Sequence, residues 1–377
     1  MMPMPKKVLH VIDSFDLGGA QTFLLDLVRH HDRSRYLTDV AAMYGRGVYA
    51  DAFEEAGITT HSLSPGKFPP MYLPNFWRLM KNGGYDILHF HLFGANLCAK
   101  PLAILAGHSA IIVQDQCNDA SRENNSLLLA ADAFWNRCSD RVIAVSESTR
   151  RYLLDREDLE DSKVMMIPNG IDTEMFRPAT LEQKRSSRLA LRLAPESFVI
   201  GGVGRLVSQK NFTLFLKVAA QVVAGNPSVF FVIAGTGPLE SQLHAGAEKL
   251  GIAERVRFLG HVSDRVSLFH ALDSLLLTSD FEGTPMTLLE AMASGLPVVA
   301  SGVDGIAEVC TDGKNALLAP PGDRGGFEKA VRRLIDEESL RKTLCIAGRR
   351  RVEEHYDIRG IARRIEGIYE EVLEVQS

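Results

Sequence analysis

Chemistry is most concentrated in the stretch EGTPMTLLEAMASGLPVVAS, Glu282 to Ser301. Its two carboxylates, Glu282 and Glu290, are separated by seven residues across a turn expected to enter a helix near Pro285, a residue tolerated at a first helical position. A fully helical eight-residue offset spans ~12 Å at ~1.5 Å per residue, beyond the ~5–9.5 Å between the paired acids of a glycoside hydrolase. The two acids are therefore expected to touch different parts of one elongated ligand. Between them the backbone of Gly283, Thr284, Pro285, Met286 and Thr287 is placed to hold an anion, while Leu288, Leu289, Ala291 and Met292 pack the helix on a sheet. Taken singly, Glu282 reads equally as a helix cap and Glu290 as a surface acid.

A second constellation is Gly201-Gly202-Val203-Gly204-Arg205-Leu206-Val207, which ends an apolar strand and brings Arg205 and Lys210 to a turn ahead of a helix opened by Asn211. Two cations beside a helix N-terminus suit a diphosphate, Arg giving a forked contact and Lys a point charge; a solvated basic turn is the alternative. The segment lacks the third glycine of a dinucleotide fingerprint, which disfavours a nicotinamide cofactor. Near the N-terminus, Gly18-Gly19-Ala20-Gln21 sits between a strand and a helix, where adjacent glycines let backbone N–H groups approach a phosphate or simply make a tight turn. His89 and His91 share one face of a strand. A metal needs at least a third ligand, none is suggested nearby, and the pair is expected either to line an acceptor cleft or to be buried and satisfied.

Chemistry of this kind needs a scaffold. Val8–Ile12, Asp39–Met43, Ile87–Phe90, Ala110–Val113 and Val142–Val145 read as strands alternating with helical stretches, the βαβ rhythm of a parallel sheet covered on both faces. A second series follows Pro168: Phe198–Val203, Val229–Ile233, Val256–Leu259, Ser274–Leu277 and Pro297–Ala300. The expected fold class is α/β, with two doubly wound domains, 1–167 and 173–357, joined by a hinge at 168–172 where Pro168 and Asn169-Gly170 stop helix and strand alike. From Ile358 onward, apolar residues at 358, 361, 365, 368, 372 and 375 form a helical stripe that must dock on something.

With 377 residues, 42 basic against 47 acidic side chains and a net charge of −5, the chain has no bulk attraction for nucleic acid. Its longest apolar runs, such as Ser228 to Gly235, fall short of the ~20 residues that cross a bilayer, and Met1 to Lys7 lacks the apolar core of a signal peptide. A cytoplasmic location is expected. The basic run from Arg29 to Arg35 reads as a solvated helix end, with contact to an anionic membrane face as the alternative. Cys98, Cys117, Cys138, Cys310 and Cys345 show no CxxC spacing, so neither a disulfide framework nor a zinc site is expected.

Taken in order, IPNGID, GVGRLVSQKN, VIAGTGPLE, VRFLGHVSD and the Glu282-x7-Glu290 segment resemble the retaining, nucleotide-sugar-dependent glycosyltransferases of family 4, which have the GT-B fold. The resemblance covers nearly the whole chain and is densest from Pro168 to Ser301. It implies two Rossmann-like domains facing across a cleft, with the donor held mainly by the C-terminal one, the acceptor mainly by the N-terminal one, and a final helix, 358–377, crossing back to the N-terminal domain. By the same resemblance Arg205 and Lys210 would grip the diphosphate with help from the backbone at Gly18 and Gly19. Glu290 would accept from the ribose hydroxyls, and Glu282 with the Gly283–Thr287 backbone would face the transferred sugar. Gly260, His261 and Val262 would meet the base, while Gln21, His89 and His91 would lie towards the acceptor. Where many relatives carry a histidine after the fifth N-terminal strand, this chain has Asp115, which either orients a sugar or acceptor hydroxyl or only closes the strand.

No side chain is placed as a dedicated nucleophile beside a base, and no DxD triplet is present to grip a metal. The expectation is a metal-independent retaining transferase with no cofactor, drawing on a UDP-sugar and acting on a carbohydrate or lipid-linked acceptor in cell-surface glycan assembly. An epimerase on the same fold and a non-catalytic sugar-nucleotide-binding partner of another transferase are the competing readings.

Overall fold

The computed structural model describes residues 4–375 apart from 17, 67–71, 109 and 117–125. The chain divides into two compact units, unit 1 comprising Met1–Gly170 with Ile358–Ser377 and unit 2 comprising Ile171–Asp357. Both boundaries fall in short extended segments, where Ile171 N–H donates to Tyr356 O at 2.8 Å and Thr173 Oγ1 donates to Asp357 Oδ2 at 2.5 Å.

Unit 1 is a seven-stranded parallel sheet in the order β3-β2-β1-β4-β5-β6-β7. The strands are β1 Lys6–Ile12, β2 Tyr36–Ala42, β3 Thr59–Ser62, β4 Ile87–His91, β5 Ile111–Asp115, β6 Arg141–Ala144 and β7 Val164–Met166. Val8, Leu9, Val11, Ile12, Ile87, Leu88 and Phe90 are fully buried, as continuous apolar runs between two helical layers must be. Unit 2 repeats the plan with six strands in the order β10-β9-β8-β11-β12-β13: β8 Phe198–Val203, β9 Val229–Ala234, β10 Val256–Gly260, β11 Ser274–Leu277, β12 Val298–Ser301 and β13 Leu317–Ala319. Its core gathers Phe212, Phe215, Phe231 and Phe327 with the aliphatic residues of the inner strands.

In each unit the first strand lies inside the sheet, and later strands are laid down first on one side of it and then on the other. Parallel pairing of β8 with both β9 and β11 puts the loops after β8 and β11 on either side of a reversal in winding direction, where no crossover helix covers the strand ends. Unit 1 has the same reversal between β1 and β4.

Three strands absent from the sequence reading, β3, β7 and β13, all lie at sheet edges. They are three or four residues long, and β3 is the polar run Thr59-Thr60-His61-Ser62. A strand paired on one side only needs neither length nor a continuous apolar run.

The stripe after Ile358 is the helix Ile358–Val375, and it belongs to unit 1. Ile358, Ile361, Ile365, Ile368 and Val372 are buried, whereas Val375 is exposed and drops out of the stripe. The helix is also held by polar contacts. Glu366 accepts from the Asp32 backbone N–H at 2.8 Å, Arg364 donates to Met166 O at 2.7 Å, and Glu370 pairs with Arg35. The Arg29–Arg35 run is therefore not simply a solvated helix end, since His31 is buried and Arg35 is tied to the closing helix. Cys98, Cys138, Cys310 and Cys345 are free thiols, and Cys117 lies outside the described residues. No described helix is long and apolar enough to cross a membrane.

Ile365→Ala removes a fully buried side chain from the seam between the closing helix and unit 1. It should cost about 2–5 kcal/mol, read as a lower urea midpoint for unit 1 with an unchanged slope.

Candidate functional site

In unit 2 the chain leaves β8 at Val203, passes Gly204 at a φ of 155°, exposes Arg205 and makes a single helical turn at Ser208–Lys210. Asn211 then takes a left-handed conformation and caps the helix Phe212–Gly225, its side chain accepting from Leu214 N–H at 3.2 Å. Asparagine tolerates that backbone and supplies the cap at once. The Arg205 guanidinium is exposed and makes no hydrogen bond or ion pair with any described residue.

The loop after β11 is stitched to this one. Thr278 Oγ1 reaches the carbonyls of Lys210 and Asn211 at 3.2 and 3.0 Å, Asn211 Nδ2 donates to Asp280 Oδ1 at 2.9 Å, and Gln209 Nε2 donates to Phe281 O at 3.0 Å. Asp280 N–H returns a bond to Gln209 O at 2.9 Å. The result is a direct ion pair between Lys210 Nζ and Glu282 Oε1, with Ser279 Oγ donating to the same oxygen at 2.7 Å. The lysine and the glutamate, 72 positions apart in the chain, meet because β8 and β11 are neighbours.

Glycines close the rim. Gly235, after β9, has a φ of 143°, and a Cβ there would lie 1.9 Å from Gly204 O. The backbones run in contact, with Gly204 N–H donating to Ala234 O at 3.0 Å and Gly235 N–H to Gly260 O at 2.7 Å, so Gly260 joins the same rim and leads to exposed His261 and half-buried Val262. On the other side, a Cβ at Gly305 would meet Gly283 O at 2.0 Å, so the Glu282–Thr284 turn rests directly on the first turn of the helix Asp304–Val309.

Pro285 stands at the N-terminus of the helix Met286–Ala293, whose residues are all buried. Met286 and Thr287 open the helix with Thr284 and Gly283 just before it, so the N-terminal turn of the helix belongs to the expected anion-holding segment. Glu290 is wholly inside and is not the surface acid that one reading allowed. Its Oε2 pairs with Arg265 at the start of the helix Arg265–Ala271, while Oε1 and the hydroxyl of Thr287 are buried without a hydrogen-bond partner among the described residues. Burial raises the Glu290 pKa, and Arg265 opposes that shift. A buried carboxylate oxygen with an open lone pair is an acceptor waiting for a hydroxyl.

Arg265 and Ser279 were not anticipated from the sequence. Asp264 did carry a signal, because its carboxylate caps the helix by accepting from Ser267 N–H at 3.0 Å, which fixes Arg265 at the first helical position. Nothing in the sequence says that this arginine turns towards a helix twenty-five positions on.

In unit 1, Gly18 is extended at a φ of −176° and precedes the helix Gly19–Arg29. A Cβ on Gly18 would meet Gln21 Oε1 at 2.4 Å, and Gln21 Nε2 donates to Ser14 O at 3.0 Å, so Gln21 braces the glycine turn from inside. Asp115 ends β5 and is buried. His89 and His91 are completely buried, which removes them from any ligand-facing surface and corrects the expectation that they lie towards an acceptor. They alternate with Phe90 and point to the face of the sheet on which Tyr369 of the closing helix packs, with His89 Nδ1 2.8 Å from the Tyr369 hydroxyl.

Two doubly wound parallel units, the second with a polar cradle where its winding reverses, define the GT-B class of fold. Comparison with known proteins agrees. Residues 183–351 match the profile of Glycosyl transferases group 1 and residues 17–175 that of Glycosyltransferase Family 4. The lipopolysaccharide core biosynthesis mannosyltransferase LpsB of Rhizobium meliloti is 31% identical over 247 residues, 64% of this chain and 68% of its own. The UDP-Gal:alpha-D-GlcNAc-diphosphoundecaprenol alpha-1,3-galactosyltransferase of Escherichia coli is 28% identical over 275 residues, 71% of each chain. The crystal structure of Anabaena Alr3699/HepE with UDP-glucose superposes with a TM-score of 0.87 at 22% identity, covering 97% of this chain and 99% of that one. The chain belongs to glycosyltransferase family 4.

Removing Arg265 would strand a wholly buried carboxylate. Arg265→Ala should therefore destabilise unit 2 by about 3–5 kcal/mol, read by chemical denaturation, and Arg265→Ala combined with Glu290→Gln should recover part of the loss. Gly305→Ala should displace the Glu282–Thr284 turn at a stability cost of about 1–3 kcal/mol and weaken nucleotide binding measured by calorimetry.

Proposed function

We propose that this glycosyltransferase moves a sugar from a UDP-linked donor to a carbohydrate or lipid-linked acceptor, with retention of anomeric configuration and without a metal ion. The observation that carries the donor half of this reading is the cradle of unit 2. Two loops are locked together, Lys210 and Glu282 are paired, Arg205 is uncommitted, and Glu290 Oε1 is a buried acceptor without a partner. The choice of uridine is supported by the UDP and UDP-glucose complexes of Alr3699/HepE and the UDP-galactose donor of the Escherichia coli relative. The acceptor class is supported by that relative's diphosphoundecaprenol-linked acceptor and by the lipopolysaccharide core role of LpsB.

In this reading Arg205 takes the diphosphate through its forked donors and Lys210 through donors beyond the one spent on Glu282. Glu290 Oε1 accepts from the ribose, Gly260, His261 and Val262 border the base, and the amides of the Gly283–Thr287 segment face the sugar with Glu282. Within unit 1, Asp115 at the end of β5 is assigned to the acceptor, and Gln21 supports the Gly18–Gly19 turn. The C1–O bond to the diphosphate breaks with its electron pair going to the phosphate oxygen. The acceptor oxygen then bonds to C1 on the same face, and its proton passes to the departing diphosphate. Fixed cations and helix amides aimed at the growing phosphate charge need no reorganisation during the step, which makes electrostatic stabilisation the main source of rate.

A panel of UDP-, GDP- and ADP-sugars tests the donor assignment through nucleotide release with and without acceptor. Release confined to a UDP-sugar, a product of retained configuration by NMR, and an unchanged rate on brief exposure to EDTA are expected. Silence with every donor would overturn the reading. Lys210→Ala and Glu290→Ala should each weaken UDP binding by on the order of 100-fold, and Arg205→Ala by on the order of 10-fold or more, as read by calorimetry on variants whose far-UV spectra match the wild type.

A further inference from the structure

The interior of unit 1 contains a cluster of imidazoles that the transfer reaction does not use. His10 on β1 and His89 on β4 are direct partners in the parallel register, and His91 lies two residues further along β4 on the same face. All three are completely buried. Their ring centroids are 5.0 Å (His10 to His89), 5.1 Å (His10 to His91) and 4.2 Å (His89 to His91) apart, and one ring nitrogen from each lies within 4.8 Å of the other two. The sequence suggested no third ligand for His89-x-His91. The register of β1 against β4 supplies it.

The hydrogen bonding of the cluster is incomplete. His10 Nδ1 and His91 Nε2 share one bond at 2.8 Å, and His89 Nδ1 bonds the Tyr369 hydroxyl at 2.8 Å. His10 Nε2, His89 Nε2 and His91 Nδ1 have no partner among the described residues, and neither has Nε2 of the neighbouring buried His31. A buried polar atom left unpaired costs on the order of 1–3 kcal/mol, so the orphaned Nε2 of His89, next to the His10–His91 pair, calls for a partner. Burial and the mutual repulsion of the rings lower the pKa of His10 and His89 well below the usual value, and hold His31 and His91 to about 3. A neutral imidazole offers one ring nitrogen as a lone-pair donor.

We propose that His10, His89 and His91 form a divalent transition-metal site of the zinc class inside unit 1, serving structure and not the transfer step. Imidazole nitrogens suit zinc, cobalt, nickel and copper, whereas magnesium and calcium prefer oxygen. A tetrahedral ion with bonds of ~2.0–2.1 Å sets its nitrogens ~3.3 Å apart, so each ring moves by less than ~1 Å to close on it. The Tyr369 oxygen, accepting from His89 Nδ1–H, leaves His89 Nε2 bare for the metal and fixes the ring's orientation. The fourth position falls to His31, whose ring centroid is 5.5 Å from that of His10, or to a water. Tyr369 comes from the helix that closes unit 1, so the ion would enter while the chain folds and be sealed in when that helix docks. Its binding energy would then be folding energy of unit 1.

The full chain, unfolded in guanidinium with a chelator and then refolded with zinc, with cobalt or with chelator alone, tests this without reference to activity. Refolding with zinc should leave one equivalent of metal per chain after dialysis and raise the unfolding midpoint by on the order of 5 °C or more over the chelator-refolded protein. The cobalt form should show visible d–d bands of a four-coordinate nitrogen and oxygen site. His10→Gln and His91→Gln keep polar side chains but remove the ligands, and folded protein of either should retain under ~0.2 equivalents. Because an unfolded variant reads out nothing, zinc K-edge fine structure on the wild type is the parallel measurement, with about three imidazole shells at ~2.0 Å expected. No retained metal in the wild type, undiminished retention in a folded His91→Gln, or fine structure without imidazole would each overturn the proposal.

Discussion

A parallel sheet wound outward from an inner first strand has one place where two neighbouring strand ends are left uncovered, because the crossover helices depart in opposite directions. In unit 2 that place lies between β8 and β11. The constraint explains why the loop bearing Arg205 and Lys210 faces the loop bearing Ser279 and Glu282, and why neither is displaced by a helix. The rest of the cradle is local consequence. Asn211 caps a helix in a backbone conformation that few other residues accept, Gly235 lets two strand-end loops touch backbone to backbone, and Gly305 gives the Glu282 turn a flat support.

Electrostatics then separate the two acids that the sequence shows as a pair. Glu282 stays at the mouth of the cradle with a lysine and a hydroxyl on one oxygen. Glu290 is buried so completely that desolvation works against its charge, and Arg265 works for it. A buried ion pair of this sort does little for net stability, since the cost of removing both ions from water offsets their attraction. Its effect is to fix position. With Oε2 committed to Arg265, the geometry leaves one defined oxygen free to accept, which a mobile surface carboxylate would not provide.

The inner strands and the Glu282–Glu290 helix were legible because burial on two faces demands unbroken apolar runs, and Phe198–Val203 and Ser274–Leu277 carry them end to end. The edge strands β3, β7 and β13 were not, being short and free on one side. Within the site, Lys210 and Glu282 could be named from residue type, but their pairing depends on which strands are neighbours, and that is fixed by topology. Arg265 was invisible for a related reason, since a surface-type residue in the first turn of a helix shows nothing of the carboxylate it meets. The histidines were left open between an acceptor cleft and the core. The period-two alternation of His89 and His91 gave their common face correctly, while their depth in the core rests on Tyr369, which arrives from the far end of the chain.

Unit 1 has the same winding reversal, between β1 and β4, yet fills the adjoining sheet face differently. There the residues at the reversal are His10, His89 and His91, and the helix Ile358–Val375 covers them with Tyr369 on top. An apolar cluster would have packed as densely with no unpaired nitrogens, so polar rings in this position are retained at a cost to the core. Burying imidazole is tolerable while each ring nitrogen has a partner, and here the Tyr369 hydroxyl and the His10–His91 bond serve one nitrogen of each ring only. One nitrogen from each ring lies within 4.8 Å of the other two, beneath the helix Ile358–Val375. Any partner for these nitrogens has to be small enough to sit among three rings already packed between the sheet and that helix.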